Sequence, residues 1–306
     1  MKHTAKDFRV LASVSDFTQH FGFPSPAHPL LTIVDLAQHR GAPAPSLVGP
    51  AFRQLYIIAL KKNLKGTIQY GHRAYDFSEG VLAFYAPGQM CENNETVDTS
   101  ELSGWLLAFH PDLLHKYPLA QKMAGYGFFS YQVHEALHLS AREEAMVDGV
   151  LHSMQLEYGQ PTDGFSQDVL VSQLDVLLNY ANRFYHRQFL TRRPAEHDLL
   201  SSFEALLTAY FAQGGEQPLP TVQHFADALH VSPAYLSDLL RSLTGQNTQQ
   251  HIHHALIERA KQLLLSTSLT VNETAFRLGF EYPQYFSRLF KSKTGLTPAA
   301  YRFSVH

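Results

Sequence analysis

Two segments near the C-terminus share one pattern, and this pattern decides how the last third of the chain folds. Residues 281–295 read EYPQYFSRLFKSKTG, and residues 231–245 read VSPAYLSDLLRSLTG. Each has a tyrosine, a large apolar residue and a serine in succession, then an apolar residue two positions later and a closing Thr-Gly. The same short helix is therefore written twice.

The repeat extends upstream of these segments. At an offset of 49 residues, Thr221, Val222, Ala226 and Leu229 match Thr270, Val271, Ala275 and Leu278. At an offset one residue longer, Tyr235, Ser237, Leu239, Thr244 and Gly245 match Tyr285, Ser287, Leu289, Thr294 and Gly295. An insertion of one residue between two matching halves indicates a turn between two helices.

The residues at that turn fit two helix-turn-helix units. Gly279 adopts a left-handed backbone without steric cost, and His230 belongs to a residue type enriched there. Ser232 followed by Pro233 is typical of a helix start, with serine as the cap and proline in the first turn. The second helix of such a unit, its recognition helix, enters the major groove of DNA. One match alone is a weak signal, but two copies at a fixed spacing are specific.

A long helix is predicted between the two copies. Residues 248–267 read TQQHIHHALIERAKQLLLST, with the apolar residues Ile252, Leu256, Ala260, Leu263 and Leu264 on one face. Such a helix can fix the separation of the two recognition helices so that they enter successive major grooves of DNA, which lie about 34 Å apart. Its histidines 251, 253 and 254 do not share one face, so we expect them to be solvated or to face DNA rather than to bind a metal.

The stretch 255–302 resembles the DNA-binding domain of AraC/XylS-type transcriptional regulators. The shared marks are Arg259-Ala260-x-x-Leu263-Leu264, Leu278-Gly279-Phe280, Tyr285-Phe286-x-x-x-Phe290-Lys291, Gly295 and Pro298-x-x-Tyr301-Arg302. The resemblance implies a two-domain α+β protein. A cupin-like β-barrel with a helix pair, at 1–190, would sense an effector and dimerise; 191–198 would be a linker, and 199–306 an all-α domain with two helix-turn-helix units.

Three positions depart from the family pattern. His230 replaces a common turn glycine, and Thr274 stands where an isoleucine is usual, which loosens the core of the second unit. Asp238 occupies a position that is often basic or polar and often faces DNA. We therefore expect the first copy to attract phosphate weakly.

The exposed positions of the two recognition helices are the predicted DNA contacts. They are Ala234, Ser237, Asp238 and Arg241 in the first copy, and Gln284, Ser287, Arg288, Lys291 and Lys293 in the second, with Arg302 beyond it. Arg288 can bind guanine O6 and N7 together, or it contacts only phosphate. Asp238 either accepts from a cytosine amino group or, as we favour two to one, is solvated or pairs with Arg241.

The N-terminal part has the short, punctuated strands of a β-sandwich or small barrel. Strand-like runs are LLTIVDL, QLYIIAL, GTIQY, GVLAFYAPGQM and GWLLAFHPDLL. A small barrel can hold one ligand. The predicted ligand contacts are Tyr56, Tyr70, His72, Tyr75, Phe84 and Trp105, although each aromatic more often only fills a core. His-x-His is missing from 30–110, so we expect no metal and no other cofactor.

Two helices should follow the strands. Ser140-x-x-Glu143 is a capping box that predicts a helix from Ala141 to about Tyr158, ended by Gly159. A second helix, capped by Asp163 or Ser166, has an apolar stripe at Leu170, Leu174, Leu177, Ala181 and Phe184. Periodicity alone leaves two alternatives: the stripe packs on its own domain, or it contacts another subunit.

Charge is unevenly distributed along the chain. The net charge is −3, and residues 1–198 hold 16 Lys and Arg against 20 Asp and Glu. Residues 271–306 hold 5 against 2 and are the only basic stretch. Because so few cations can neutralise phosphate, a monomer should bind DNA weakly, and joining two copies would raise the affinity.

The chain is expected to be cytoplasmic. Cys91 is the single cysteine, so no internal disulfide can form, and neither a secretory signal nor a run of about 18 apolar residues is evident. The predicted function is a DNA-binding regulator that activates transcription in response to a small molecule, and the expected partners are double-stranded DNA, that effector, a second copy and RNA polymerase. One alternative is a ligand-independent repressor. The other is a cupin-type enzyme fused to a DNA-binding domain, but the sequence has no metal-binding cluster to support that enzyme. We expect no enzymatic activity.

Overall fold

The computed structural model describes residues 9–39, 51–63, 67–70, 73–76, 80–91, 101, 103–132, 135–191, 193–212 and 218–304. At 9, 51–52, 67–70, 73–76, 90–91, 191, 193–197 and 212 it describes the backbone only. The chain divides into two compact units, Met1–Gln188 and Phe189–His306. No helix in these ranges is long and apolar enough to cross a membrane.

The first unit contains the strands. They are β1 Arg9–Leu11, β2 Leu31–Asp35, β3 Ala51–Arg53, β4 Tyr56–Lys62, β5 Thr67–Tyr70, β6 Arg73–Asp76, β7 Val81–Tyr85, β8 Met90–Cys91, β9 Ser103–Phe109 and β10 Leu137–His138. The five predicted strand runs are thus confirmed. An antiparallel sheet with the order β10-β7-β4-β9-β2 lies at the centre, beside a three-stranded sheet β1-β3-β8 and the pair β5-β6. Closure into a cupin-like barrel stays a prediction.

The helices of the first unit are α1 Val14–Phe21, α2 Leu119–Lys122, α3 Ala141–Tyr158 and α4 Ser166–Thr191, the last of which extends past the unit boundary. Single 3-10 turns lie at Leu36–His39, Pro111–Leu114, Met123–Gly125 and Gly127–Ser130. The predicted capping box is present, since the Ser140 hydroxyl accepts from the Glu143 N–H and the Glu143 carboxylate accepts from the Ser140 N–H. The Asp163 carboxylate accepts from the Ser166 N–H at 2.9 Å at the start of α4.

Helix α1 was not predicted, although the sequence contains its start signal. The Ser13 hydroxyl accepts from the Asp16 N–H at 3.0 Å, and the Asp16 carboxylate accepts from the Ser13 N–H at 3.0 Å. This reciprocal pair satisfies two N–H groups of the first turn. The helix ends at Gly22, whose φ of 68° is left-handed.

The central sheet has two differently covered sides. Alternation along the paired strands puts Tyr56, Phe84 and Trp105 on one side. Tyr56 and Phe84 each pack edge-on against Phe129, with ring centroids 5.0 and 5.4 Å apart. The Trp105 indole N–H donates to Asp148 of α3 at 3.0 Å. We call this the helix-facing side, because α3, α4 and the turn at Gly127–Ser130 cover it.

The predicted ligand contacts that the structure describes therefore belong to a packed layer. Phe84 lines a cavity of only about 10 Å³, which is room for about one water molecule. Tyr56, Phe84 and Trp105 lie between the sheet and the elements that cover it, and their role as ligand contacts stays a prediction. His72 and the side chains of Tyr70 and Tyr75 lie outside the described residues.

The opposite, α1-facing side has its own apolar cluster. It contains Leu11, Val14, Phe17, Leu55, Ile57 and Ala108, all at most 2% exposed. The half-buried Phe21, Phe23, Tyr85 and Leu106 pack against it. Burying these side chains contributes roughly 1.5–3 kcal/mol for each large one.

The apolar stripe of α4 belongs to the core of the first unit. Leu170 is 2% exposed, and Leu174, Leu177 and Ala181 are fully buried within the single chain. Of the two alternatives, the stripe packs on its own domain, so these four residues, which were candidates for dimer contacts, are covered within the single chain. The physical reason is that α4 is apolar on two sides, and periodicity does not say which side faces the chain's own sheet.

The second unit is helical. Its helices are α5 Arg193–Ala212, α6 Val222–Ala228, α7 Pro233–Thr244, α8 Thr248–Ser266, α9 Val271–Arg277, α10 Pro283–Thr294 and α11 Pro298–Ser304. The predicted connecting helix is α8, and the predicted recognition helices are α7 and α10. The stretch 191–198 differs from a linker, because α4 ends at Thr191 and α5 begins at Arg193. Pro194 lies in the first turn of α5, where a helix tolerates a missing N–H.

Candidate nucleic-acid interface

The two helix-turn-helix units have matching turns. His230 has a φ of 57° and Gly279 a φ of 89°, so both adopt the predicted left-handed backbone. The Val231 N–H donates to the Ala226 carbonyl at 3.0 Å, and the Phe280 N–H donates to the Ala275 carbonyl at the same distance. Equivalent hydrogen bonds in both copies show that the sequence repeat is a structural repeat.

The recognition helices start differently but end alike. The Ser232 hydroxyl accepts from the Tyr235 N–H at 3.2 Å and caps α7 as predicted. Tyr282, at the same place before α10, makes no capping side-chain bond. Gly245 and Gly295 end the two helices with the same left-handed φ of 78°.

Each recognition helix packs one face on its own unit and leaves the opposite face outward. Leu236 and Leu240 of α7 and Phe286 and Phe290 of α10 are fully buried. The two alanines at the helix crossings, Ala226 and Ala275, are also fully buried. This packing fixes which residues of α7 and α10 remain available to another molecule.

The outward face of α10 is cationic and polar. Gln284, Arg288, Lys291 and Lys293 are exposed, and Ser287 is half-buried. Among the described residues, Arg288, Lys291 and Lys293 form no ion pair. Their charges therefore remain available for phosphate or base edges.

The outward face of α7 is largely occupied by its own contacts. Arg241 donates to the Asp238 carboxylate at 2.9 Å, which is the predicted ion pair. The Ser237 hydroxyl donates to Thr248 of α8 at 3.2 Å, and Ala234 is half-buried. The first recognition helix thus presents less charge than the second.

Arg302 is held by backbone carbonyls. Its Nε donates to the Leu264 carbonyl at 2.9 Å, and its Nη2 donates to the Leu269 carbonyl at 2.5 Å. Leu264 lies in the last turn of α8, where backbone acceptors lack helical partners, and Leu269 lies in the connection from α8 to α9. Arg302 therefore ties α11 to the end of α8, and its phosphate contact stays a prediction.

The sequence interpretation missed two tyrosines at the start of α10. Tyr282 is 54% exposed and Tyr285 is 56% exposed, with ring centroids 5.9 Å apart. The equivalent residue in the first copy, Tyr235, is only 7% exposed because it packs edge-on against Phe189 at 5.2 Å. Helical spacing could have found Tyr285, since it lies three residues before Arg288.

The histidines of α8 are partly buried rather than fully solvated. His251 contacts the Thr244 hydroxyl at 2.8 Å and packs edge-on against Phe203. Burial lowers the pKa of His251, and burial together with the nearby Lys293 charge lowers the pKa of His253. His254 is exposed. Within the described residues, no three His, Cys, Asp or Glu side chains are arranged as a metal site.

Comparison with known proteins identifies this part of the chain. Residues 225–303 match the family model of a helix-turn-helix domain. An uncharacterized HTH-type transcriptional regulator of Bacillus subtilis, YfiF, is 27% identical over 161 residues, which is 49% of this chain and 48% of that protein. The HTH-type transcriptional activator RhaR of Cronobacter sakazakii is 37% identical over 81 residues, which is 26% of this chain and 29% of that protein. The chain spans less than half the length of each relative.

Among solved structures, the C-terminal domain of AraT, a response regulator from Geobacillus stearothermophilus, is 31% identical. It covers 35% of this chain and 84% of its own, with a TM-score of 0.31. From the family model and the curated relatives, the C-terminal part of this chain is a helix-turn-helix domain of the AraC family of transcriptional regulators.

Proposed function

We propose that this protein is a sequence-specific DNA-binding regulator that activates transcription in response to a small molecule bound by its first unit. In this proposal α10 makes the principal base contacts, and α7 makes weaker ones in the neighbouring major groove. The alternative is a repressor that acts without a ligand.

The observation that best supports DNA binding is the outward face of α10. Four exposed side chains, Gln284, Tyr285, Arg288 and Lys291, lie on the side opposite the buried Phe286 and Phe290. Arg288 offers two parallel donors to guanine, and Tyr285 offers an apolar surface of the kind that contacts a thymine methyl group. Lys291 and Lys293 follow on the last turn and suit phosphate contacts.

Binding to a random DNA library tests this proposal directly. The full chain should enrich a defined sequence, and the complex should weaken steeply as salt rises, because cation–phosphate contacts release counterions. Binding without any enriched sequence would contradict the proposal.

We also propose that two copies of the chain associate through the outer surface of α3 and α4. A groove of about 320 Å³ runs between these helices, lined by Ala145, Met146, Gly149, Val150, Ser153, Gln173, Val176 and Tyr180. Val169 is 39% exposed and Val176 is 47% exposed. They are seven residues apart, which is the spacing of helix–helix seams.

A dimer would compensate for the low charge of the DNA-binding unit. Residues 199–306 hold 8 Lys and Arg against 7 Asp and Glu. Linking two such units makes the second binding event intramolecular and raises affinity without new contacts. The proposed surface uses the exposed flank of α4, beside its buried stripe Leu170, Leu174, Leu177 and Ala181.

RNA polymerase is the proposed further partner, because an activator has to recruit or contact it. A run-off transcription assay with purified polymerase tests this part. Transcription from a promoter that carries the enriched sequence should rise when the full chain is added. A fall would favour the repressor alternative.

A further inference from the structure

A buried arginine lies in the interior of the first unit. Arg53, the last residue of β3, is only 8% exposed. Its guanidinium carbon lies 5.5 Å from the ring centre of Phe21 and 5.9 Å from that of Tyr85. Phe21 ends α1, and Tyr85 belongs to the α1-facing side of the central sheet, so the guanidinium is held between two aromatic side chains.

Within the described residues, this buried charge has no counter-ion. Arg53 forms no ion pair there, and its buried Nε donates no hydrogen bond. Two half-buried cations of the unit are paired: Arg187 with Glu143 at 2.7 Å, and Lys62 with Glu144 at 2.8 Å and with Asp148. An uncompensated buried charge is strongly unfavourable, so a group of this kind calls for an anion.

The surroundings of Arg53 indicate what such an anion looks like. Phe21 and Tyr85, which flank the guanidinium, are only half-buried, and the half-buried Phe23 lies with its ring centre 6.0 Å from that of Phe21, so apolar surface beside Arg53 is not fully covered. The two rings contact the guanidinium by cation–π attraction and limit its rotation. A guanidinium held in this way can donate two parallel hydrogen bonds to one carboxylate.

We propose that Arg53 is the anion-recognising group of an effector site in the first unit, and that the effector is a small carboxylate with an apolar body. The carboxylate would pair with the guanidinium, and the apolar body would contact the aromatic side chains around it. This inference rests on the proposed ligand response. It places the ligand on the α1-facing side of the sheet rather than among Tyr56, Phe84 and Trp105.

The first test asks whether Arg53 serves the fold or a ligand. Thermal unfolding of the ligand-free full chain is compared for wild type, Arg53→Met and the matched variant Arg187→Met. Arg187→Met should melt lower, because it leaves the Glu143 carboxylate buried and unpaired. Arg53→Met should melt at the wild-type temperature or above it, because it removes an unpaired charge. A decrease for Arg53→Met as large as for Arg187→Met would mean that Arg53 stabilises the fold through a structural partner, and would overturn the proposal.

The second test uses four probes: butyrate, octanoate, benzoate and phenylacetate, each with its neutral amide at equal ionic strength. At concentrations well above the dissociation constant, at least one carboxylate should raise the melting temperature of the wild type by about 2–5 °C. Its amide should not, and Arg53→Met should lose the shift. No shift with any carboxylate, or an equal shift with the amide, would overturn the proposal.

DNA binding separates this inference from the proposed function. Arg53→Met should bind the enriched DNA sequence with wild-type affinity in the absence of a carboxylate, since Arg53 lies in the first unit. If the wild type shows the carboxylate shift but no sequence-specific binding, the effector site stands and the proposed regulator function fails. If specific binding is found without a carboxylate shift, the regulator function stands and the effector site fails.

Discussion

Three arginines of this chain lie in three different environments. Arg288 is exposed on α10 and forms no ion pair among the described residues. Arg302 donates to the carbonyls of Leu264 and Leu269 and fastens α11. Arg53 is buried between Phe21 and Tyr85. These environments distinguish a proposed DNA contact at Arg288, the support of a helix end by Arg302 and a proposed anion site at Arg53.

Arg288→Ala should remove the part of the sequence preference that α10 contributes. A bidentate arginine–guanine contact contributes about 1–3 kcal/mol of discrimination, so specific affinity should fall roughly 5- to 150-fold while non-specific affinity changes little. Lys291→Ala is the matched control, because loss of a phosphate contact should weaken specific and non-specific binding equally and reduce the salt slope by about 1. Fluorescence anisotropy on specific and scrambled duplexes measures both. Unchanged specific binding by Arg288→Ala would exclude it as a base contact.

Asp238→Asn should raise DNA affinity modestly. The substitution removes a negative charge from α7 and releases Arg241, which is paired to it at 2.9 Å. A released guanidinium can contact phosphate, so the dependence of affinity on salt should become steeper. A salt titration of the binding constant measures this effect. If Asp238→Asn instead lost the preference of the wild type for cytosine at one position of the binding sequence, Asp238 would be identified as a base contact.

At the scale of elements, the two helix-turn-helix units have the same backbone and different surfaces. Their turns, end glycines and crossing alanines match, whereas Tyr235 is buried against Phe189 and Tyr285 is exposed. The backbone match was predictable because left-handed turn positions, capping residues and small crossing residues are local signals. The surface difference was not, because it depends on Phe189, which lies outside the repeat.

Phe286→Ala should lower the free energy of unfolding of the second helix-turn-helix unit more than a substitution on its surface does. Phe286 is fully buried and packs against Phe280 and Phe290, with ring centroids 5.5 and 5.7 Å apart. Removing a buried phenylalanine ring lowers the free energy of unfolding by about 3–5 kcal/mol. Phe303→Ala, at a side chain 78% exposed, should change it by less than about 0.5 kcal/mol. Chemical denaturation of both variants tests the packing, and equal losses would contradict it.

The second unit should lose stability as the pH falls from 7 to 5. Burial lowers the pKa of His251 and of His253 below the ordinary value of 6.5. Below that pH the unfolded chain takes up protons that the folded chain resists, so the free energy of unfolding decreases. His251→Gln should flatten this dependence, whereas His224→Gln, at an exposed position of α6, should leave it unchanged. Melting temperatures measured at four or five pH values between 7 and 5 test this prediction. A melting temperature that rises on acidification would contradict it.

For the whole molecule, the charge distribution matches the proposed division of labour. Residues 1–198 hold four more acidic than basic side chains, and 271–306 hold three more basic than acidic ones. DNA should therefore attract the C-terminal end and repel the first unit. Weak attraction by one copy makes association of two copies the expected route to tight binding.

Val176→Glu should convert a dimer into a monomer. Val176 is 47% exposed in the groove between α3 and α4, and a carboxylate there would be buried without a partner on association. Leu156→Glu, at a side chain 58% exposed on α3 but outside the groove lining, is the control and should remain dimeric. Analytical ultracentrifugation reads out the mass. A wild type that sediments as a monomer at high concentration would remove the basis of the dimer proposal.

The sequence was most informative where local rules apply and least informative where two sides of an element look alike. The caps at Ser140 and Ser232 and the turn at His230 were predicted residue by residue. The stripe Leu170, Leu174, Leu177 and Ala181, and the aromatic Phe84, were considered for functional surfaces, and the structure buries these side chains within the single chain. Periodicity gives the two sides of a helix or strand, but only tertiary packing decides which side is covered.

Selection of bound sequences from a random DNA library, with wild type and Arg288→Ala in parallel, tests the central claim most directly. The wild type should enrich two short conserved blocks separated by about one helical turn of DNA, or about 10 base pairs. Arg288→Ala should lose the block read by α10 and keep the other. An enriched sequence with a single block, or one that Arg288→Ala enriches unchanged, would contradict the account of two unequal recognition helices.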